Sequence, residues 1–240
     1  MKKLGILMMA LIACMMLSST AMADSPTLQE ILNNITVGPI AGKSSVNVET
    51  DRMANDSYWS ITGSGGSLST MIIEVAGLAA QNGFGVYDMS NSNKKVELFS
   101  GAATTGSQVT LGITTIGQVY VKGEYSGVNF AANRFGFYIT TGNGETFYSD
   151  NLLNNGEDHM LAFQGKNVDT IQIGQWAPGL WTNNEYALAF EDLSTGSDWD
   201  YNDMVVMVES VTNVPEPTTL TLLGAGLIGL AFARRKRDDA

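Results

Sequence analysis

The chain has 240 residues, of which 15% are charged and 44% hydrophobic, and its formal net charge is −11. This composition excludes a disordered acidic tail, because such tails carry too few apolar residues to bury a core. A single cysteine excludes a disulfide framework and a thiolate zinc site, and a single histidine argues against a histidine-based metal centre or catalytic triad.

The first 23 residues have the three parts of an export signal. Two lysines precede an apolar run at 4–17, and Ala21 and Ala23 are the small residues that signal peptidase recognises. The run is too short for a permanent membrane span. We therefore predict that residues 1–23 are a signal peptide, which the Sec translocon exports and signal peptidase removes.

Lipidation at Cys14 is the alternative for this leader. Residues 11–14 resemble a lipobox, in which Cys14 would be lipidated and become the new N-terminus. The apolar run continues past Cys14, whereas lipoproteins usually turn polar there, so cleavage before Asp24 is favoured. The mature protein would then contain no cysteine, which is compatible with an oxidising compartment.

Residues 24–215 form a strongly acidic segment, with 7 basic and 21 acidic side chains and a net charge of −14. Such a surface repels nucleic acid and anionic lipid, so we expect no nucleic-acid partner. It attracts cations.

One short helix is predicted at the start of this segment. Ser25 before Pro26 fits an N-cap followed by proline in the first turn, and Thr27 with Glu30 offers a second capping register.

The rest of the segment has the pattern of β-strands. Short runs rich in β-branched and aromatic residues predict twelve strands, at 58–62, 71–76, 84–88, 96–99, 109–113, 118–122, 135–140, 146–149, 160–163, 170–173, 186–190 and 204–209. Gly142, Asn143 and Gly144 lie between two aromatic runs and predict a hairpin. We expect an all-β protein, with one β-sandwich or jelly-roll-like domain at 24–213.

A dense acidic cluster lies between the last two predicted strands. Its oxygen-bearing residues are Glu191, Asp192, Asp198, Asp200, Asn202 and Asp203. Their mutual repulsion is costly unless a cation neutralises it or water solvates it. Ca²⁺ takes roughly six to eight oxygen ligands, and the Asp-x-Asp-x-Asn pattern presents alternate side chains towards one point. We predict a calcium loop on a β scaffold.

The alternative for this cluster needs no metal. Asp198 and Asp203 would cap turns by accepting hydrogen bonds from backbone N–H groups, and Trp199 and Tyr201 would pack inwards.

The same cluster resembles the domain of unknown function 4114 family, whose end carries Phe-Glu-Asp, a gap and Asp-x-Asp-Tyr-Asn-Asp before a final strand. Here these residues stand at 190–192 and 198–203, and the segments 84–88 and 96–101 also look like members of that family. The resemblance covers most of 58–210. It implies a β-rich extracellular module that is a candidate for calcium binding and has no established activity.

The C-terminal end has the pattern of a second targeting signal. Pro215, Glu216 and Pro217 precede an apolar stretch of sixteen residues at 218–233. A helix of that length spans ~24 Å against a hydrocarbon core of ~30 Å, and snorkelling of basic side chains covers the shortfall. The basic residues that follow are Arg234, Arg235, Lys236 and Arg237. They predict a transmembrane helix with a cytoplasmic C-terminus, so that everything before it is exported.

Residues 214–240 thereby resemble the PEP-CTERM sorting signal of Gram-negative bacteria, which combines the Pro-Glu-Pro triplet, a short glycine-rich span and a terminal arginine cluster. The resemblance implies cleavage near the triplet by an exosortase, a membrane-embedded cysteine transpeptidase. It also implies an exopolysaccharide-producing bacterium. The domain would first be periplasmic and anchored in the inner membrane, and then reach the cell surface or matrix.

Catalysis finds little support. His159 follows two acidic residues in a predicted turn, where a lone exposed histidine has no partner, and no G-x-S-x-G motif is present. We therefore expect a non-catalytic structural or adhesive module of the biofilm matrix. The alternative is a carbohydrate-binding module, or less plausibly a glycoside hydrolase, in which Trp176, Trp181 and Trp199 stack on the exopolysaccharide.

Overall fold

A computed structural model describes residues 25–62, 65–74 and 82–215, without the side chains of 68 and 70–74. The predicted signal peptide, with Ala21 and Ala23, lies outside these ranges, as do Cys14 and residues 216–240 with the predicted transmembrane helix. Within the described ranges, no helix has the length and hydrophobicity needed to cross a bilayer.

The described residues contain one α-helix, one 3₁₀ helix and sixteen strands. In chain order these elements are α1 (Leu28–Ile35), β1 (Thr36–Gly38), β2 (Trp59–Ile61), β3 (Ser67–Glu74), β4 (Gly83–Asp88), β5 (Asn91–Phe99), β6 (Gln108–Ile113), β7 (Gln118–Val121), β8 (Glu124–Asn129), β9 (Phe135–Thr140), β10 (Thr146–Tyr148), the 3₁₀ helix (Asn151–Asn154), β11 (Met160–Gln164), β12 (Thr170–Ile171), β13 (Gly179–Leu180), β14 (Glu185–Phe190), β15 (Met204–Glu209) and β16 (Val211–Asn213).

The single helix begins at the second of the two predicted caps. The Thr27 hydroxyl accepts from the backbone N–H of Glu30, whose side chain accepts from the backbone N–H of Thr27, so both halves of a capping box are present. The Ser25 register is therefore wrong. Apolar residues recur every three or four positions along α1, and this face is buried.

Two antiparallel sheets form the body of the protein. The larger has seven strands in the order β11-β14-β15-β3-β6-β7-β8, and the smaller has β16-β2-β9-β4-β5 with β10 paired to β9. One apolar core joins alternate residues of both sheets, for example Leu188 and Phe190 on β14 with Phe84 on β4. The period of two is that of strands with one face buried against a second sheet.

The other face of the seven-stranded sheet is also covered. Helix α1 and a small sheet of order β1-β12-β13 pack on it around a second core, which takes the intervening residues of the same strands, such as Ala187 and Ala189. Strand β14 is thus apolar on both faces after Glu185, its first residue, and the acidic Glu191 follows directly after its end.

For the part of the chain that the structure describes, the prediction of a β-rich protein with one N-terminal helix is confirmed. Each of the twelve predicted strands overlaps an observed one, and β9 pairs with β10 across the predicted hairpin. Strands β1, β8, β13 and β16 were not predicted, because they are two to six residues long and mostly exposed or lack alternation.

Close strand packing predicts which glycines are replaceable. In Gly85→Ala the new Cβ would lie 2.3 Å from the carbonyl oxygen of Val96, a backbone atom of the neighbouring strand, whereas at Gly179 nothing lies within 4 Å. We expect Gly85→Ala to lower the free energy of unfolding by about 1–3 kcal/mol and Gly179→Ala to leave it nearly unchanged. Denaturant titration of both variants measures this, and equal stability would contradict the packing described here.

Candidate metal centre

The predicted acidic cluster forms the loop that joins β14 to β15, at residues 191–203. The backbone N–H of Glu191 donates to the carbonyl oxygen of His159 at 3.0 Å, which continues the β11–β14 ladder by one residue. The register of β14 therefore fixes where Glu191 lies. Its side chain is 1% exposed.

Three carboxylates meet at the base of this loop. Glu191, Asp192 and Asp203 each offer an oxygen, and the three oxygens lie within 4.8 Å of one another. The backbone N–H of Asp192 donates to Asp203 Oδ2 at 2.9 Å, and the Asn82 side-chain amide donates to Asp192 Oδ2 at 2.8 Å. These hydrogen bonds hold two of the three carboxylates in place.

A second group shares Glu191 with the first. Glu191, Asp198 and Asp200 also offer oxygens within 4.8 Å of one another. Trp199 and Tyr201 both have a φ of +55°, a left-handed conformation that large side chains rarely adopt. Trp199 and Tyr201 alternate with Asp198 and Asp200 along the chain. The strained backbone at these two residues therefore accompanies the approach of both aspartate carboxylates to Glu191.

Asn202, the remaining predicted ligand, links this loop to the start of the domain. Its amide nitrogen donates to the carbonyl oxygen of Pro26 at 3.0 Å and to the carboxylate of Asp200, and the residue is buried. The structure thus brings all six predicted residues into one loop and gives the Asn202 amide nitrogen a tethering role.

Burial makes the carboxylates of this loop difficult to ionise. Burial raises the pKa of Glu191, and burial together with the charges of Asp192 and Glu191 raises the pKa of Asp203 to about 8. The pKa of Asp200 is raised by burial and then by the charge of Asp198. Among the described residues Glu191 Oε2 has no hydrogen-bond partner, and none of the ion pairs there includes these carboxylates.

His159 lies beside the cluster and is fully buried, so the expectation of an exposed histidine is wrong. Its ring stacks on Phe147 with centroids 3.8 Å apart, and Nδ1 lies 3.0 Å from the carbonyl oxygen of Glu191. A carbonyl can only accept, so Nδ1 carries a proton and donates to it. Its Nε2 lies 3.3 Å from both Glu157 Oε2 and Ser194 Oγ. The imidazole therefore anchors the backbone that presents the Glu191 carboxylate.

The tryptophans named as sugar platforms differ in exposure. Trp181 is fully buried in the second core, which removes it as a platform. Trp199 is 38% exposed in the acidic loop, and Trp176 is 50% exposed at the opposite end of β14.

Comparison with known protein families gives two matches, one that includes this loop and one to a sorting motif after it. Residues 114–211 match the family model of a domain of unknown function (DUF4114), which includes the whole acidic loop. Residues 213–237 match the PEP-CTERM protein-sorting motif. The chain carries a PEP-CTERM sorting signal. No curated protein matches the chain.

Both resemblances inferred from the sequence are thereby confirmed, although the match to the domain of unknown function begins at residue 114 and leaves out the upstream segments 84–88 and 96–101. The sorting signal marks an exported, membrane-associated protein of the cell envelope that an exosortase processes.

Without calcium, the stability of the folded domain depends on pH through Asp203. This carboxyl keeps its proton up to about pH 8 when folded, against an ordinary pKa of 3.8, so the folded state binds more protons between these values. The free energy of unfolding therefore falls as pH rises through that window. In chelator, we expect Asp203→Asn to melt at the same temperature as the parent at pH 4 and at a higher temperature at pH 8.

Thermal melts at both pH values, with Asp169→Asn as a control outside the loop, make this comparison. Asp169 is a buried carboxylate that accepts from the backbone N–H and the hydroxyl of neighbouring serines. A parent protein whose stability rises from pH 4 to pH 8 in chelator, with no gain in the Asp203→Asn variant, would contradict the assigned titration.

Proposed function

We propose that this protein is a non-catalytic, calcium-binding structural or adhesive module, exported and sorted to the cell surface or extracellular matrix. The buried carboxylate of Glu191 carries the proposal: it belongs to both carboxylate groups, and Oε2 has no partner among the described residues. A cation between the groups would supply that partner and offset the repulsion.

The donor set favours calcium over other metals. The ligand atoms of both groups are carboxylate oxygens, which suit hard cations, whereas zinc and copper sites draw on imidazole or thiolate. The imidazole beside the loop already donates from Nδ1 to the Glu191 carbonyl. Five carboxylates supply enough oxygens for the roughly six to eight that Ca²⁺ takes, with water filling any remainder.

The sorting signal supplies the compartment in which such a site operates. Extracellular calcium sites bind weakly, with dissociation constants on the order of 10⁻⁴ to 10⁻³ M. A domain that reaches the surface would meet calcium there, so the loop would order after export. Signal peptidase cleavage after Ala23, a C-terminal anchor at 218–233 and exosortase cleavage near Pro215, Glu216 and Pro217 form the proposed route.

Calcium binding is tested by calorimetry on the purified protein and by melting with added calcium. We expect binding heat and a rise in melting temperature for the parent. Asp198→Ala with Asp200→Ala should weaken binding at least about tenfold, because two of the charged ligands are lost. Glu124→Ala with Glu145→Ala removes the same charge from exposed positions and serves as the control.

Asp203→Asn is a second test of calcium binding, because it removes a buried charge and keeps a side chain of the same size. In chelator the substitution should stabilise the domain at pH 8, and in saturating calcium it should leave the variant less stable than the parent. The turn-capping alternative, which needs no metal, predicts that the substitution changes stability in the same direction in chelator and in calcium. Absence of binding heat and of any calcium effect on melting would overturn the calcium proposal.

The sorting route is tested in cells by replacing the Pro-Glu-Pro triplet with alanines. Exosortase processing depends on this signal, so the variant should accumulate in the membrane at full length after signal-peptide removal, while the parent is shortened and released from the inner membrane. Fractionation and immunoblotting against the domain report both. Identical processing of the two proteins would contradict recognition at residues 215–217.

Carbohydrate binding is the second candidate function, and the half-exposed indoles of Trp176 and Trp199 favour it. A polysaccharide pull-down with and without chelator separates sugar binding that needs the acidic loop from sugar binding that does not. Release of reducing sugar in the same assay would favour the hydrolase instead.

A further inference from the structure

A cavity of about 120 Å³ lies at the end of the β14–β15 hairpin opposite the acidic loop. Its lining includes Gln108, Trp176, Leu180, Glu185, Met207 and Glu209. The side chains of Ile171, Ile173 and Met207 form an apolar floor that belongs to the second core, and the polar groups surround it. Its volume is below the roughly 300–1,000 Å³ of pockets for drug-sized ligands, but its lining, an apolar surface with a few convergent polar groups, is the kind that such pockets have.

Trp176 is held in place without being covered. Its indole N–H donates to the carbonyl oxygen of Gly106 at 2.7 Å, and its backbone N–H donates to that of Ile173 at 3.2 Å. The side chain nevertheless stays 50% exposed. An aromatic ring fixed at its polar edge and open to solvent is a ready platform for a ligand, because little conformational entropy is lost on binding.

Two glutamates face each other beside this ring. Glu185 at the start of β14 lies directly opposite Glu209 at the end of β15. Burial raises the pKa of both carboxyls, and the charge of Glu185 adds to the effect on Glu209. Like charges directly opposite each other destabilise a sheet. None of the ion pairs in the described part of the chain involves either residue.

We propose that this cavity binds an amino sugar within a polysaccharide, an inference that rests on the second candidate function, with the protonated amino group between Glu185 and Glu209 and the pyranose ring against Trp176. The ammonium relieves the repulsion of the two carboxylates and is attracted by the indole face. The apolar C–H face of the ring covers the exposed indole. An anionic sugar is repelled by the same carboxylates.

The distribution of polar groups favours a sugar over a lysine side chain of a protein partner. A lysine presents one polar group on a flexible stem, and ordering that stem costs entropy. A pyranose is already rigid and carries hydroxyls around the ring. These hydroxyls can reach the Gln108 side chain, which lines the cavity together with the two carboxylates.

Calorimetry in chelator tests this site on the purified full chain in mild detergent, since the site is independent of the calcium loop. The probes are a glucosamine hexamer, the matching N-acetylglucosamine hexamer and a lysine-containing peptide of equal charge. We expect the glucosamine hexamer to bind at least about tenfold more tightly than the other two. Glu209→Gln and Trp176→Ala should each reduce that affinity about tenfold or more.

Matched controls are Glu124→Gln, which removes an equal charge from the exposed strand β8, and Tyr125→Ala, which removes an exposed aromatic ring there. Both should leave the affinity unchanged, and the isosteric Glu209→Gln should keep the parent's melting temperature or raise it. Equal binding of the acetylated and deacetylated hexamers, tighter binding of the peptide, absence of binding, or equal loss in the control variants would each overturn the proposal. None of these results bears on calcium binding, which is measured separately.

Discussion

The structure around the acidic loop depends on the burial of one carboxylate. Glu191 is the first residue after β14, and its backbone is fixed on one side by the carbonyl of His159 and on the other by the imidazole of the same residue. Glu191 is 1% exposed, so its side chain lies inside the protein. Its Oε2 has no hydrogen-bond partner among the described residues, and burying an ionised carboxylate costs several kcal/mol, so the fold either keeps a proton there or admits a cation.

Proton and cation compete for the same oxygens, and this competition joins the fold to the proposed function. The raised pKa of Asp203 describes the proton-bound state, in which repulsion with Glu191 is relieved without metal. Calcium would displace that proton, so affinity should increase with pH. An exported protein experiences this exchange once, when it leaves a compartment of low free calcium for one with more. Under the proposed function, the loop would become rigid after export.

The hairpin of β14 and β15 carries a different chemistry at each end. Five residue pairs lie between the Glu185–Glu209 pair and Glu191, so six residue steps separate Glu185 from Glu191, a distance on the order of 20 Å along the strand. Between the ends both faces are apolar, because one packs into the core between the sheets and the other under α1. Acidic side chains are therefore confined to the ends, where two sites can form without sharing ligands.

Much of this arrangement is visible in the sequence, and the rest depends on pairing. Alternation and turn residues predict the central strands, and the spacing of aspartates from 198 to 203 predicts a cation loop. The opposition of Glu185 and Glu209 is not predictable, because it follows from the register of two strands that are separated by the loop. The burial of His159 is not predictable from its local sequence either, because its ring stacks on Phe147 of β10, twelve residues earlier in the chain. The second core cannot be predicted from the sequence of β14, because a strand that is apolar on both faces shows no alternation of apolar and polar residues.

A crystal structure of the protein grown with calcium tests the central claim most directly. We expect an anomalous density peak from Ca²⁺ in the loop, with oxygens of Glu191, Asp198 or Asp203 at about 2.3–2.6 Å from the ion. Density for water alone at that position, with the carboxylates arranged as they are without metal, would contradict the account.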